Sequence, residues 1–170
     1  MTQRAVLLQA LASTPADIER LIRGLDESNA ARQTDASAWS PGALIGHLLA
    51  VEHAYQGHIR RIIEENEPLL TAFPPPAEHQ PGVSVATAAE RFRQSREATL
   101  SILRGLSAGD WQRKAMHETR GRISLRTLVQ RLVEHDIEHT NQLVEIRQTW
   151  RNSRAAAVIS TTTEDGGRLP

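Results

Sequence analysis

Cysteine is absent from the 170-residue chain, and this absence excludes disulfides, thiolate metal ligands and a cysteine nucleophile. Aromatic residues are also scarce, at 4%, so a core has to be built mainly from aliphatic side chains. Neither sign of charge is in excess, because 20 basic residues face 20 acidic ones and the net charge is zero. We therefore expect no nucleic-acid partner, since no basic surface is available for a polyanion.

Long apolar runs are missing as well. No stretch of 18 apolar residues exists, and Gln3, Arg4 and a Ser-Thr-Pro turn interrupt the first 20 residues before a secretory core could form. We expect a cytoplasmic protein without a membrane partner. The length suits one domain, placed over residues 1–150, and the glycine-containing residues 151–170 are expected to be a flexible C-terminal tail.

The apolar residues recur with a helical period along most of the chain. Ser13 and Ser40 each stand close before a proline, and this pairing of an N-cap with a proline at the first helical position marks a helix start. Ser124 is the expected cap of the last helix. We predict four main helices, over residues 3–25 with a restart at Pro15, 41–66, 84–106 and 125–150.

Two segments break this helical pattern. The stretch FPPPAEHQPG, residues 73–82, contains four prolines and is expected to be a surface connection between the second and third main helices. The period also fails between Trp111 and Ile123, where Gly121 suggests a turn. The predicted fold is therefore all-α, a four-helix bundle with a short irregular hairpin or loop before its last helix.

The stretch LVEHDIEHTNQLVEIR, residues 132–147, carries polar groups on an otherwise apolar helix face. At about 100° per residue, Asp136 and His139 fall inside the apolar stripe and His135 falls at its edge. The two histidines are one turn apart, so both rings can be directed at one point, as metal ligands require. The alternative is that each is a core histidine bonded to a backbone carbonyl.

A third histidine strengthens the metal interpretation. His47 lies on the border of the apolar stripe of the second main helix, whereas His58 is about 16 Å further along the same helix, too far to share an ion with it. Three neutral imidazoles would leave an open coordination position, as catalytic zinc sites do. Glu52, which also falls in an apolar stripe, either supports an imidazole or pairs with an arginine.

Other helical metal proteins fit less well. Ferritin-like di-iron sites need paired Glu-x-x-His motifs, which this chain lacks, and the His135-Asp136 pair is not followed by the further ligands of the HD phosphohydrolases. Three more residues receive ordinary interpretations. Trp39 is expected to plug a bundle end, His117 to be a solvated loop residue, and Arg96 to pair with a buried carboxylate.

Two segments together resemble the DinB/YfiT-like superfamily, WSPGALIGHLLAVE at residues 39–52 and GRISLRTLVQRLVEHDIEHTNQLVEIR at residues 121–147. The resemblance extends over about residues 5–150. It implies a four-helix bundle whose metal ligands match His47, His135 and His139, with zinc or nickel as the divalent metal ion. It also implies a homodimer.

The resemblance leaves two functional hypotheses open. In the first, the protein is a metal-dependent enzyme, either a transferase that uses a low-molecular-weight thiol or a hydrolase, acting on a small-molecule thiol or electrophile substrate. Asp136 or Glu52 would then orient a ligand or carry a proton as the catalytic residue. In the second, the bundle is a non-catalytic metal-binding or dimerising module.

Overall fold

The computed structural model describes residues 2–35, 38–72 and 83–164, with side chains described as far as residue 152. The predicted four-helix bundle is confirmed, and two of its four long helices carry the side chains discussed below as candidate metal ligands. Its helices are α1 (Gln3–Ile22), a short α2 (Glu27–Ala31), α3 (Pro41–Glu64), α4 (Val85–Gly105) and α5 (Leu125–Glu164).

Serine caps fix the starts of the last three long helices. Ser40 Oγ accepts a hydrogen bond from the Ala43 amide at 3.2 Å, with Pro41 at the first helical position, and Ser84 caps α4 in the same way. Ser124 Oγ accepts from the Thr127 amide at 3.1 Å at the start of α5. The predicted starts of these helices are confirmed, because each side-chain oxygen satisfies an amide that has no partner within the helix.

The predicted restart of the first helix at Pro15 is wrong. Helix α1 runs without interruption through Pro15, and the Thr14 hydroxyl donates to Asp136 instead of capping a new helix. Proline has no amide proton, so it cannot bond to the carbonyl of Leu11 four residues earlier. Arg96 Nη1 donates to that carbonyl at 3.1 Å, so the interior proline leaves no unpaired carbonyl there.

The segment before α5 forms a regular hairpin. Strands β2 (Lys114–His117) and β3 (Gly121–Ser124) are antiparallel, and Gly121 has the positive φ of 68° that the turn requires. A third strand that the sequence did not predict, β1 (Leu69–Leu70), pairs with β2 in parallel. His117 is buried within this sheet, so its predicted exposure is wrong.

The long helices are not all antiparallel to their neighbours. Helices α3 and α4 run in the same direction, since their beginnings, with Leu44 and Val85, lie in one apolar cluster and their ends, with Ile62 and Leu103, lie in the other. Residues 65–84 therefore join the end of α3 to the start of α4 at the opposite end of the bundle. A connection of this length permits such an arrangement.

The buried apolar residues form two clusters, one toward each end of the bundle. The cluster next to the sheet includes Leu11, Leu100 and Leu132, and the Trp111 side chain is buried in it. The other cluster includes Leu48 and Leu143. Polar side chains occupy the level between the two clusters on every long helix, and the functional site lies beside that level.

Helix α5 extends 14 residues beyond its predicted end at Trp150, because it continues to Glu164. Residues 73–82, with most of the proline-rich connection, and residues 165–170 lie outside the described residues. The flexibility proposed for residues 151–170 stays a prediction. Across the described residues, no helix is both long and apolar enough to cross a membrane.

Candidate metal centre

The three histidines selected from the sequence lie together at the junction of α3 and α5. His135 Nε2 is 2.9 Å from His47 Nε2 and 3.0 Å from His139 Nε2. His47 lies in the second turn of α3, while His135 and His139 are separated by one turn of α5. Their nearest ring nitrogens all lie within 4.8 Å of one another, so one ion can contact all three.

Burial keeps two of these rings neutral. It lowers the pKa of His47 to about 4, with a further contribution from nearby His139. Burial likewise lowers the pKa of His135 to about 3, and both neighbouring histidines add to the effect. At neutral pH these imidazoles are uncharged, and the uncharged form has the lone pair that binds a metal.

Gln142 fixes the orientation and tautomer of the His139 ring. His139 Nδ1 lies 2.9 Å from the Gln142 Oε1 acceptor, so the ring proton sits on Nδ1 and the lone pair of Nε2 points at the other two histidines. Sequence reasoning missed Gln142. The only signal was its position three residues after His139, on the same face of the helix.

Trp39 covers one side of the cluster. Its indole stacks on the His139 ring at 5.6 Å with an interplanar angle of 9°, and it meets the His47 ring edge-on at 4.6 Å. It also packs against the apolar cluster at this end of the bundle, as predicted. The contact with the histidines was not predicted, because no periodic pattern fixes the path of the segment before α3.

The donor atoms fit a divalent ion. Zinc–nitrogen bonds of about 2.0–2.1 Å place tetrahedral ligands about 3.3 Å apart, a few tenths of an ångström more than the separations observed here. The Nδ1 atoms of His47 and His135 are buried and have no hydrogen-bond partner among the described residues. A neutral imidazole has one N–H and one nitrogen lone pair, so three rings that meet through Nε2 cannot all form hydrogen bonds with one another. A cation placed between them would stabilise the lone pairs that remain. No carboxylate belongs to this group in the described part of the chain, so water or a substrate can occupy a further coordination position.

Asp136 and Glu52 do not lie in this cluster of donor atoms. Asp136 accepts from Arg96 Nη1 at 2.6 Å and from Thr14 at 2.9 Å, while Glu52 accepts from Arg96 Nη2 at 2.7 Å. The predicted pairing of Arg96 with a buried carboxylate is confirmed. None of the described hydrogen bonds of either carboxylate goes to an imidazole. Neither carboxylate therefore orients one of the three histidine rings by a hydrogen bond.

The charges in this ion-pair cluster are coupled. Burial raises the pKa of Asp136, and Arg96 offsets this only in part because its guanidinium also serves Glu52. The pKa of Arg96 is raised: burial acts against its charge, but the two carboxylates outweigh that effect. Arg96 therefore stays charged, and the carboxylates that it binds are poorly available to move protons elsewhere.

A cleft of about 520 Å³ opens beside the histidines, with Trp39 and His139 in its wall. Three carboxylate side chains line this acidic cleft, those of Asp35, Glu138 and Glu145, and no lysine or arginine is among its described lining residues. A second cavity of about 600 Å³ lies between α3 and α4, but none of the three histidines lines it. Of these two cavities, the acidic cleft is the one that reaches a candidate ligand, His139.

Comparisons with known proteins agree with this architecture. The sequence profile of the DinB superfamily matches residues 10–143. YfiT from Bacillus subtilis, described as a probable metal-dependent hydrolase with an unusual four-helix bundle topology, superposes with a TM-score of 0.78 at 14% identity, covering 87% of this chain and 89% of its own. A DinB-like protein from Bacillus subtilis, YjoA, has a TM-score of 0.61 at 18% identity, with coverages of 84% and 91%. A search of curated proteins gave no match.

Proposed function

The chain belongs to the DinB superfamily, and from that premise we propose that it is a metal-dependent hydrolase whose divalent ion is held by His47, His135 and His139. The observation that carries the proposal is the convergence of three imidazoles, with the Nε2 atoms of His47 and His139 at 2.9 and 3.0 Å from Nε2 of His135. Three neutral ligands leave the ion its full double charge. Zinc is our first choice and nickel our second, because both accept imidazole ligands.

When bound, a divalent ion at this position supplies Lewis acidity and lowers the pKa of a coordinated water toward about 7. The protein's own residues supply the geometry. Gln142 holds the His139 ring with Nε2 toward the ion, and Trp39 shields the rings on one side. The acidic cleft admits a substrate from the other side.

The charge of the cleft favours hydrolysis over thiol transfer. Low-molecular-weight thiols that carry carboxylates would meet Asp35, Glu138 and Glu145 without a basic partner among the described lining residues. A neutral or amine-bearing ester or amide meets no such repulsion. YfiT is described as a probable hydrolase, which agrees with this preference.

Thiol transfer is the second candidate. The specific observation in its favour is that the chain contains no cysteine, so any thiolate at the open coordination position would come from a substrate. Such a thiol would have to be neutral or cationic to enter the acidic cleft. An electrophilic small molecule would be the second substrate.

The catalytic roles of Asp136 and Glu52 stay predictions. Both side chains are engaged with Arg96, which supports a structural role more than proton transfer. Glu138, which is exposed in the wall of the acidic cleft, would be the alternative residue to carry a proton between the site and solvent.

The test uses the untagged protein, stripped with a chelator and reloaded with zinc or nickel. We expect hydrolysis of a panel of neutral and amine-bearing p-nitrophenyl esters and anilides that depends on added metal and is lost in His135→Ala. A parallel panel of thiols with chlorodinitrobenzene tests transfer. Turnover only in the thiol panel would support the second candidate, and none in either panel would support a non-catalytic metal-binding or dimerising module.

A further inference from the structure

A layer of polar side chains crosses the middle of the bundle. We call it the charged layer, and it consists of Thr14 on α1, Glu52 on α3, Arg96 and Thr99 on α4, and Asp136 on α5. All of its members are buried, and they lie between the two apolar clusters. Each long helix contributes at least one member, so the layer contacts every wall of the bundle.

Arg96 is the centre of the charged layer. Its Nε and Nη2 donate to Glu52 Oε2 at 3.0 and 2.7 Å, and its Nη1 and Nη2 donate to the two oxygens of Asp136 at 2.6 and 3.1 Å. Arg96 Nη1 also donates to the carbonyl of Leu11 at 3.1 Å. One planar guanidinium, itself on α4, thereby binds α1, α3 and α5 at fixed angles.

The bond to α1 depends on a specific feature of the sequence. Pro15 lacks the amide that would otherwise bond to the Leu11 carbonyl, so the helix offers Arg96 an acceptor at this level. The Thr14 hydroxyl, one residue earlier, donates to Asp136 at 2.9 Å. The Thr14-Pro15 pair, which the sequence suggested as a helix start, instead docks α1 on the charged layer.

The two carboxylates lie next to the proposed metal ligands along the chain. Asp136 directly follows His135 on α5, and Glu52 lies five residues after His47 on α3. Arg96 therefore connects the helix that supplies His47 with the helix that supplies His135 and His139. Helix α4 itself contributes no ligand, so its contribution to the metal centre comes through this connection.

Stability alone does not account for the charged layer. A buried ion pair repays its desolvation poorly, and well-packed apolar residues in its place are often as stable. Directional bonds of fixed length, however, set the rotation and separation of the helices that carry them more strictly than aliphatic contacts do.

We propose that Arg96 is a positioning residue for the metal centre: through Glu52 and Asp136 it sets the distance between His47 and the His135–His139 pair. This inference rests on the proposed function, because it concerns the same three ligands. It predicts that loss of Arg96 changes the coordination geometry at the site and weakens the binding of the ion, beyond any general loss of protein stability.

The test measures cobalt(II) binding by its visible absorption, together with zinc affinity by competition, in the full-length protein. The variants are Arg96→Met, Arg96→Lys and a control, Leu103→Ala, which opens a cavity on the same helix two turns from Arg96. We expect at least about tenfold weaker binding and an altered cobalt spectrum in both Arg96 variants. Lysine does not rescue, because a point charge cannot bind both carboxylates in a fork. Leu103→Ala should lose stability while it keeps the wild-type spectrum and affinity.

Wild-type affinity and spectrum in Arg96→Met would overturn the inference while leaving the proposed function intact. No uptake of cobalt or zinc by the wild-type protein would overturn both. If neither Arg96 variant folds, Thr14→Val carries the test, since it is nearly isosteric and removes the hydroxyl bond to Asp136 together with a longer one to the Ala10 carbonyl within α1. A shifted cobalt spectrum in that variant supports the inference, and an unchanged one contradicts it.

Discussion

A single hydrogen bond decides which nitrogen of His139 faces the other two histidines. The Gln142 acceptor holds the proton on Nδ1, and this arrangement presents Nε2 as a ligand. An imidazole without such a partner can rotate or change tautomer, and both processes compete with metal binding. Gln142 therefore contributes to the proposed site by orienting His139, without being a ligand itself.

Replacing Gln142 with leucine should weaken zinc binding about tenfold, because the His139 ring loses the acceptor that fixes it. Competition with a chromophoric chelator measures the change. The matched control is Gln148→Leu, the same substitution at an exposed position of α5. Equal zinc affinity in the Gln142 and Gln148 variants would show that the hydrogen bond has no part in metal binding.

His58 makes the fold sensitive to acid at a distance from the metal centre. Burial lowers its pKa below the usual value of 6.5, and the neighbouring His117 and Arg61 add to the effect. In the unfolded chain the ring binds a proton near pH 6.5, whereas the folded protein resists that proton until a lower pH. Stability is therefore complete above pH 6.5 and is lost as the pH falls toward the folded pKa.

We expect the urea midpoint of the metal-free protein to fall between pH 7.5 and pH 5.5, and to fall less in His58→Gln. The comparison between variants matters, since other buried histidines also contribute to the total. His53→Gln is the control, because that side chain is exposed on the same helix. If the His58 and His53 variants show the same pH dependence as the wild-type protein, His58 is not a source of it.

The sequence predicts residues best where a helical period fixes their direction. The sequence predicted that three histidines lie close together, because each of them is on a long helix with a clear apolar stripe: His47, His135 and His139. Trp39 could not be placed at the cluster, because its segment has no period. His117 was misjudged for a related reason: it belongs to a four-residue strand whose buried side becomes visible only once the sheet is formed.

At the scale of elements, arginines from elsewhere in the chain complete the ends of three helices. Arg113 donates to the carbonyls of Ile62 and Glu65 at the end of α3, at 2.6 and 2.8 Å. Arg4 and Arg147 bind carbonyls at or just beyond the ends of α4 and α1. These carbonyls have no partner within their own helix, and a cationic donor also interacts favourably with the helix dipole.

Arg113→Ala should lower the free energy of unfolding by about 1–2 kcal/mol, because two carbonyls at the end of α3 lose their partner. Urea denaturation measures the difference. Arg20→Ala is the matched control, since Arg20 forms only an exposed ion pair with Asp17, and such pairs contribute about 0.5 kcal/mol or less. Equal losses in the two variants would contradict a capping role for Arg113.

Long elements with caps could be predicted, and short ones could not. Ser40-Pro41 and Ser124 marked helix starts correctly, because an N-cap works through its immediate neighbours. The five-residue α2 and the two-residue β1 are too short to show a period. The continuity of α1 through Pro15 depends on Arg96, which lies 81 positions away, so no local signal could have indicated it.

The whole molecule is a four-helix bundle in which two consecutive long helices run in the same direction. Helices α3 and α4 run parallel, and the long connection between them makes this possible. This topology places the charged layer between the two apolar clusters and the three histidines beside that layer. The site therefore depends on contacts between helices that are distant in sequence. For this reason the charged layer as a whole could not be predicted, although its members Glu52, Arg96 and Asp136 were each singled out.

The homodimer implied by the family resemblance stays a prediction at this scale. Val6 and Ile137 are about half exposed on α1 and α5, and among the described side chains of these helices they are the large apolar ones that a partner could cover. Light scattering after gel filtration should give twice the chain mass of 18.8 kDa. A mass of one chain at micromolar concentration would contradict the prediction.

The most direct test of the account is the metal content of protein purified without a histidine tag. Elemental analysis should give about one divalent ion per chain in the wild-type protein and in His53→Ala. It should give almost none in His47→Ala, His135→Ala or His139→Ala, with each variant still helical by circular dichroism. Full occupancy in folded His135→Ala would contradict the central claim that these three imidazoles bind one ion.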